Sequence, residues 1–208
     1  QNHDQVGNRA TGDRLSQIVG LAREKVATGV VLTAPFIPML FQGEEFAAST
    51  PFQYFADPDD PALAKAVSEG RKLEFAAFGW KSDEIPDPEK QETFENSKLN
   101  WDEMDRGEHL EMLNWTRSLI HFRRSSVSLN DGDLGHVMVH FSEEKRWLMM
   151  KRGAVLSACN LGTEMVELEN PDELPLILAS KAEVEVTPSG IRLPPDSFAL
   201  LSGEKLSS

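Results

Sequence analysis

The sequence predicts an α/β portion, with the strand–helix units of a (β/α)8 TIM barrel or a doubly wound sheet, followed by an all-β portion, a C-terminal antiparallel β-sandwich. Three observations predict it. Long segments at either end of the first 130 residues carry apolar residues at helical spacing. A short, almost wholly apolar run lies between them. After Asn130 the pattern shifts to short alternating runs separated by turn residues.

In chain order, the spacing of Leu15, Ile18, Val19, Ala22 and Val26 predicts a helix from about Asp13 to Thr33, with Asp13 as its N-cap and Pro35 as its stop. Pro38-Met39-Leu40-Phe41-Gln42 reads as a strand buried on both faces, as in a parallel sheet, ended by Gly43-Glu44-Glu45. Loop, helix and buried strand in that order make the repeating unit of a barrel or a doubly wound sheet. Residues 46 to about 106 are irregular, with turn signals at Asp57-Pro58-Asp59-Asp60-Pro61 and Ile85-Pro86-Asp87-Pro88 and a short helix around Ala62–Phe75. A connection this long inside a compact domain is usually functional.

The next helix runs from about Gly107 to Val127, where Met112, Trp115, Leu119 and Phe122 form an apolar stripe and Arg117, Arg123 and Arg124 suit the C-terminal end of the helix dipole. Short strands are predicted around Val137–Phe141, Trp147–Met150, Val155–Leu161, Met165–Leu168, Leu176–Ala179, Val184–Val186, Ile191–Leu193 and Phe198–Leu201. The expected domains are therefore residues 1–130, the α/β portion, and 131–208, the β-sandwich.

Composition narrows the function classes. The chain has 208 residues, 40% hydrophobic, and a net charge of −13, enough apolar content for a core and too acidic for a nucleic-acid backbone or an anionic membrane surface. The charge suits a neutral or cationic ligand. Cys159 is the single cysteine, so no internal disulfide forms, which fits a reducing, cytoplasmic setting. The longest apolar stretch, around Val30–Leu40, is cut by Pro35 and Pro38, so no transmembrane segment is expected. No initiator Met or signal pattern opens the chain, which is the expectation for a processed or shortened product.

The densest polar cluster is Gln1-Asn2-His3-Asp4-Gln5, continuing to Asn8-Arg9 just before the first helix. In a barrel, that position falls on the C-terminal face where active sites lie. A carboxylate beside an imidazole there is a general acid or base, a metal pair or a charge stabiliser. A His-Asp dipeptide alone is weak evidence, and a loop of caps and salt bridges explains it equally well.

The wider pattern is specific. The run from Gln1 through Ala10, then Gly12-Asp13-Arg14-Leu15, resembles the fourth characteristic region of the α-amylase family of glycoside hydrolases, and Pro38-Met39-Leu40-Phe41-Gln42-Gly43-Glu44-Glu45 resembles the family's eighth strand and the loop after it. Ala47 to Phe55, Glu69-Gly70-Arg71, Phe94-Glu95, Ser97-Lys98-Leu99 and Trp101 are similar to the branch of that family that acts on maltooligosyltrehaloses. Phe46 stands where that branch often has Trp. The resemblance covers the chain up to about Phe122 by motif and the remainder by architecture alone.

The resemblance implies roles. Asp4 matches the carboxylate that stabilises the oxocarbenium-like transition state, and a fixed carboxylate there favours the charge developing at the anomeric carbon. His3, with Asn2 and Gln5, is expected to bind hydroxyls of the same sugar. The family's nucleophile and general acid lie upstream of Gln1. The chain alone is therefore expected not to hydrolyse glycosides, because members of such a set act as a unit. The expected whole is a hydrolase that releases trehalose from maltooligosyltrehalose by cutting the adjacent α-1,4 bond, with retention. It needs no cofactor and no metal, and its partner is maltooligosyltrehalose or another α-glucan oligosaccharide, with neither nucleic acid nor membrane.

Weaker signals have plainer readings beside the functional ones. Glu44 and Glu45 are adjacent on a loop and point apart, so an orienting role stands above a shared-proton dyad. Phe52, Tyr54 and Phe55 either stack on sugar faces or pack the long loop, with even weight. Arg9 pairs with a site carboxylate or, as the plainer reading, with Asp13. His109, His121, His136 and His140 have no partner at zinc-like spacing and read as structural. Asn114-Trp115-Thr116 matches a glycosylation acceptor but lies mid-helix. Trp101 and Trp147 are carbohydrate platforms or, more often in sandwiches, core. No phosphate loop, dinucleotide fingerprint or nucleophile elbow is present.

Two other classes fit less well. An α-1,4-glucan branching enzyme shares barrel and sandwich, but the Ala47–Phe55 loop favours the hydrolase. In a non-enzymatic reading, the sandwich serves stability or glycan binding. Barrel strands without their neighbours expose edges, so self-association through those edges is also expected.

Overall fold

The computed structural model describes residues 1–204. It divides into two compact units, each assembled from separate stretches of chain: Gln1–Ile18 with Met39–Leu110, and Val19–Pro38 with Glu111–Ser208.

The second unit is built on a sheet. Strands β1 (Val137–Ser142), β2 (Trp147–Arg152), β3 (Val155–Asn160), β5 (Leu176–Ala179) and β8 (Ser197–Ser202) form one antiparallel sheet in the order β1-β2-β3-β8-β5. Strands β4 (Val166–Leu168), β6 (Glu185–Thr187) and β7 (Gly190–Leu193) form a second, in the order β4-β7-β6. Every strand predicted from the alternation is present, with ends displaced by a residue or two.

Successive residues of a strand face opposite ways, and in β3 and β8 both faces are buried along the whole strand. On one face Leu156, Ala158, Ala199 and Leu201 join Leu168, Ile191 and Leu193 of the smaller sheet in a single apolar core. The opposite face is covered by helices. Helix α3 (Leu21–Thr33) packs on β3 and β8. A Cβ added at Gly29 of α3 would lie 2.8 Å from the Phe198 ring, so this glycine sets how closely helix and sheet approach. Trp115 of α6 (Gly107–Ser125) meets Phe198 edge-on at 6.0 Å, and its indole N–H donates to the Lys25 carbonyl at 3.0 Å. Lys25 in turn pairs with Glu111. Trp147 packs partly buried against the core between the sheets.

The C-terminal end of α3 is held by two arginines. Arg123 Nη1 donates to the carbonyls of Leu32 and Ala34 at 2.7 and 2.9 Å, and Arg152 Nη1 to those of Thr33 and Ala34 at 2.9 Å each. A helix leaves its last carbonyls without partners, and guanidinium groups supply several donors in a fixed fork. Burial lowers the pKa of both arginines.

Two sequence expectations are corrected. The helix predicted over residues 13–33 is broken at Gly20, whose φ of 80° is left-handed, into α2 (Leu15–Val19) and α3, and Asp13 caps neither. Asp13 instead accepts from the Thr11 hydroxyl at 2.5 Å. Residues 38–42 form no strand, and Met39 is 58% exposed. A buried parallel strand exists only where neighbours pair with both its edges. Among the described residues no strand lies beside this segment, and every sheet pairing is antiparallel.

The first unit has little regular structure. It holds α1 (His3–Gly7), most of α2, α4 (Pro61–Ala76) and α5 (Gln91–Asn96), joined by turns. Helix α4 starts as its sequence dictates: Asp60 Oδ1 accepts from the Ala62 amide at 2.8 Å, and Pro61 occupies the first turn, where its missing N–H has no consequence. A small apolar cluster, Ala10, Phe75 and Ile85, includes Phe75 of this helix. No helix among the described residues is long and apolar enough to cross a membrane.

Candidate active site

The polar cluster at the start of the chain folds into one helical turn. Asn2 Oδ1 accepts from the Gln5 amide at 2.8 Å and caps α1. Val6 turns inward, fully buried, while His3, Asp4 and Gln5 face outward. His3 Nε2 lies 3.1 Å from Asp4 Oδ1, with both side chains mostly exposed. Asp4, in the first turn, also sits where the helix dipole favours negative charge. Asn2 is thus occupied as a cap, and the outward groups are a carboxylate, an imidazole and an amide.

Three buried charged side chains fix the backbone around this turn. Glu44 lies in a one-turn 3-10 helix, Glu44–Phe46, and is 5% exposed. Its Oε2 accepts from the Gln1 main-chain nitrogen at 3.1 Å and from the Phe41 amide at 3.0 Å, tying the start of the polar segment to the loop after Met39. Glu45 beside it is only partly buried. Arg14, 1% exposed, donates from Nε to the Thr50 carbonyl at 2.6 Å and from Nη1 to the Gln42 carbonyl at 2.7 Å. Glu103, 6% exposed, accepts from the Ser49 amide at 2.8 Å and hydroxyl at 2.6 Å. His109 Nδ1 is 3.1 Å from the carbonyls of both Phe46 and Ala47, which makes it a donor and a structural residue.

Glycines allow the segments to come this close. Gly12 has a φ of +74°, and a Cβ there would lie 2.5 Å from the Phe52 carbonyl carbon and oxygen. Its carbonyl accepts from the Phe52 amide at 2.8 Å, so the polar segment and the aromatic loop are laced backbone to backbone. Gly43 (φ +84°) approaches Leu99, Ala48 and Arg14 in the same manner.

The aromatic residues separate into two sets. Phe52 meets Phe41 edge-on at 4.9 Å and Phe55 at 5.8 Å, and Phe55 meets Phe94 at 5.2 Å. Phe52, Phe55 and Phe94 line an open cleft of about 450 Å³ with Gln42, Lys98 and Trp101. Trp101 is 59% exposed and lies 5.9 Å from Phe46. Tyr54 makes a different contact: the Arg71 guanidinium sits 4.9 Å from its ring centroid. Arg9 reaches Asp13 through the backbone, Nη1 donating to the Asp13 carbonyl at 2.6 Å, and not through the carboxylate.

Sequence reasoning therefore missed Glu103, and it noted Arg14 and Arg71 only within motifs. Charged residues read as surface by default. Their partners here are main-chain groups, which carry no sequence signal. Among the described residues no group of three or more His, Cys, Asp or Glu is arranged to hold a metal ion.

The fold relatives define the class first. A crystal structure of a candidate alpha amylase from Salmonella typhimurium superposes over 97% of this chain and 34% of its own, with TM-score 0.82 and 34% identity. Among sequence relatives, the malto-oligosyltrehalose trehalohydrolase of Rhizobium sp. (strain M-11) is 43% identical over 201 residues, 97% of this chain and 34% of that protein. The malto-oligosyltrehalose trehalohydrolase of Mycobacterium tuberculosis (strain ATCC 25618 / H37Rv) is 46% identical over 162 residues, 78% of this chain and 28% of that protein. Residues 132–200 match a family described as a domain of unknown function, DUF3459. The chain spans about a third of the length of these curated relatives. Its resemblance to the C-terminal part of malto-oligosyltrehalose trehalohydrolases is thereby shown.

Proposed function

We propose that the chain is the C-terminal part of a glycoside hydrolase that releases trehalose from maltooligosyltrehalose by cutting the adjacent α-1,4-glucosidic bond. Residues 1–130 contribute the last portion of its catalytic (β/α)8 barrel, and 131–208 form its C-terminal sandwich. Asp4 stabilises the positive charge that develops at the anomeric carbon, and His3 and Gln5 bind hydroxyls of the same sugar. Asn2 supports them as the cap of α1. Phe52, Phe55 and Tyr54 offer apolar ring faces to the substrate. Glu44, Glu45 and Arg9 hold the surrounding backbone. The nucleophile and general acid come from upstream of Gln1, so the chain alone is inactive. The enzyme works in the cytoplasm without a cofactor.

The observation that carries this reading is the outward-facing His3–Asp4 pair, on a turn preceded by Gln1, whose main-chain nitrogen buried Glu44 holds, within a chain similar to trehalohydrolases along nearly its whole length. Preorganised charge facing an open site is what oxocarbenium chemistry needs.

The test is a product assay on the full-length enzyme. Free trehalose from a maltooligosyltrehalose is expected, while new α-1,6 branches in place of trehalose would overturn the reading. Asp4→Asn in the same enzyme is expected to lower kcat by about 10² to 10³ or more, with KM little changed. Trehalose release by the 208-residue chain alone would refute its inactivity.

A further inference from the structure

Arg71 has no role in the reading above, although Glu69-Gly70-Arg71 is one of the runs that carries the family resemblance. It lies on α4, in the long irregular connection, and is 7% exposed. Its Nη2 donates to the Gly7 carbonyl at 2.6 Å and to the Arg9 carbonyl at 3.0 Å. Its guanidinium also sits 4.9 Å from the Tyr54 ring centroid and 4.8 Å from that of Phe75. One buried cation thus touches the C-terminal end of α1, the segment after it, and two aromatic rings.

Helix α1 needs such support. It is five residues long, far below the length at which a helix holds itself together. Its N-terminal end is capped by Asn2. At its C-terminal end the Gly7 carbonyl receives the Arg71 bond. A lysine could not reproduce this arrangement, because a single ammonium cannot lie flat between two rings while reaching both carbonyls with a fixed fork. Burial pulls the Arg71 pKa down, opposed by Glu74 and Tyr54, yet an arginine stays charged at any working pH. The clamp is therefore permanent and not a switch.

We propose that Arg71 is a positioning residue: it holds α1, and with it His3 and Asp4, in one fixed frame with Tyr54. The inference rests on the assignment of Asp4 and Tyr54 to the substrate site. It explains why the inserted α4 belongs with the polar segment. The helix contributes no group to the reacting atoms, and it sets where the carboxylate stands. A displacement of about 1 Å at a catalytic group is enough to lower the rate on the order of 10²-fold.

The test uses full-length enzyme carrying Arg71→Met, which keeps the bulk between the rings and removes the donors, and Arg71→Lys, which keeps the charge. The Met variant is expected to lose kcat by on the order of 10² with KM within about threefold of wild type. Amide exchange over residues 3–9 should accelerate in the same variant while β3 and β8 stay unchanged. The Lys variant should fall between, and millimolar guanidinium should restore part of the kcat of Arg71→Ala. A Met variant with wild-type kcat, or one whose exchange over residues 3–9 is unchanged, overturns the inference. If the Met variant does not fold, the Lys variant carries the same two measurements. Failure of the trehalose reading is separate: the wild type then gives other products, while the exchange comparison still judges Arg71 without reference to activity.

Discussion

The two units of the molecule are held together by different physics. In the second unit, β3 and β8 are buried on both faces, between a smaller sheet and two helices, and Ile191, Leu193, Phe198, Ala199, Leu200 and Leu201 are among the residues at 0% exposure. The force there is apolar burial, which is non-directional and spread over many side chains. The first unit buries Val6, Phe46 and Ala48 as well as the small cluster of Ala10, Phe75 and Ile85, and in it buried Arg14, Arg71, Glu44 and Glu103 reach main-chain groups. Such bonds are directional, and losing one leaves a buried partner unsatisfied. The backbone near the candidate site is thus tied by a few specific contacts, whereas β3 and β8 are held mainly by bulk. A site needs exact placement of a few groups, whereas a scaffold needs stability.

This contrast can be broken most directly in the core. Phe198 is fully buried, lies against Gly29 and meets Trp115. Phe198→Ala is expected to destabilise by about 3–5 kcal/mol, from lost burial plus the cavity left behind. Denaturant unfolding followed by Trp fluorescence measures it. A loss below about 1 kcal/mol would mean that α3 and α6 collapse onto the sheet freely, and that the second unit is not the well-packed one.

The next effect is smaller and differs in kind. Arg14→Met removes donors to the carbonyls of Gln42 and Thr50 while keeping an apolar stem beside Phe41. The expected cost is about 1–3 kcal/mol, because two partly buried carbonyls lose a charged donor. It should appear as faster amide exchange over residues 42–52, with β3 and β8 protected as before. Uniform acceleration through both units would show that the clamp supports the whole molecule and that the contrast is false.

Local opening also bears on Cys159. Burial raises its thiol pKa, opposed by a bond to the Leu148 backbone. Since the thiolate is the reactive form, alkylation should proceed only as fast as the sheet opens, and Phe198→Ala should speed it while Arg14→Met should not. Rapid labelling of the folded wild type would contradict the burial of β3.

How much of this was legible in the sequence follows the same division. The eight strands announced themselves through alternation and turn residues, because a two-sided sheet writes its period into the chain. Helix α6 did so through its Met112–Phe122 stripe. The break at Gly20 was not legible, since a glycine inside a helical pattern is ordinarily tolerated. The apolar run at 38–42 was misread for a related reason: an apolar segment declares that it will be covered but not by what. The Asn2-His3-Asp4 turn was legible only through the longer run around it. Its clamps were not, because Arg14 bonds to the carbonyls of residues 28 and 36 positions away, and any residue offers a carbonyl.

The smallest predicted effect lies where the chain enters the sheet. His136 Nδ1 is 2.6 Å from Asp131 Oδ2, and Nε2 is 3.8 Å from Asp133 Oδ2. The Asp131 carbonyl also accepts from Arg152 at 2.7 Å, so this exposed pair sits on the backbone that the Arg152 clamp holds. The hydrogen bond to Asp131 raises the His136 pKa, and the same bond lowers that of Asp131. A raised histidine contributes stability that is fully present below its unfolded value, about 6.5, and is lost as pH rises through the folded value. A lowered aspartate contributes stability present above its unfolded value, about 3.9, and lost as pH falls through the folded one. The pair is therefore at full strength between about pH 4 and pH 6.5. Thermal melts should show His136→Asn less stable than wild type in that window, with the two curves converging at higher pH. Both side chains are exposed, so the gap is small and should close further in high salt. Parallel curves across the whole range would mean that the contact carries no free energy, and that the second unit rests on apolar burial even at its margin.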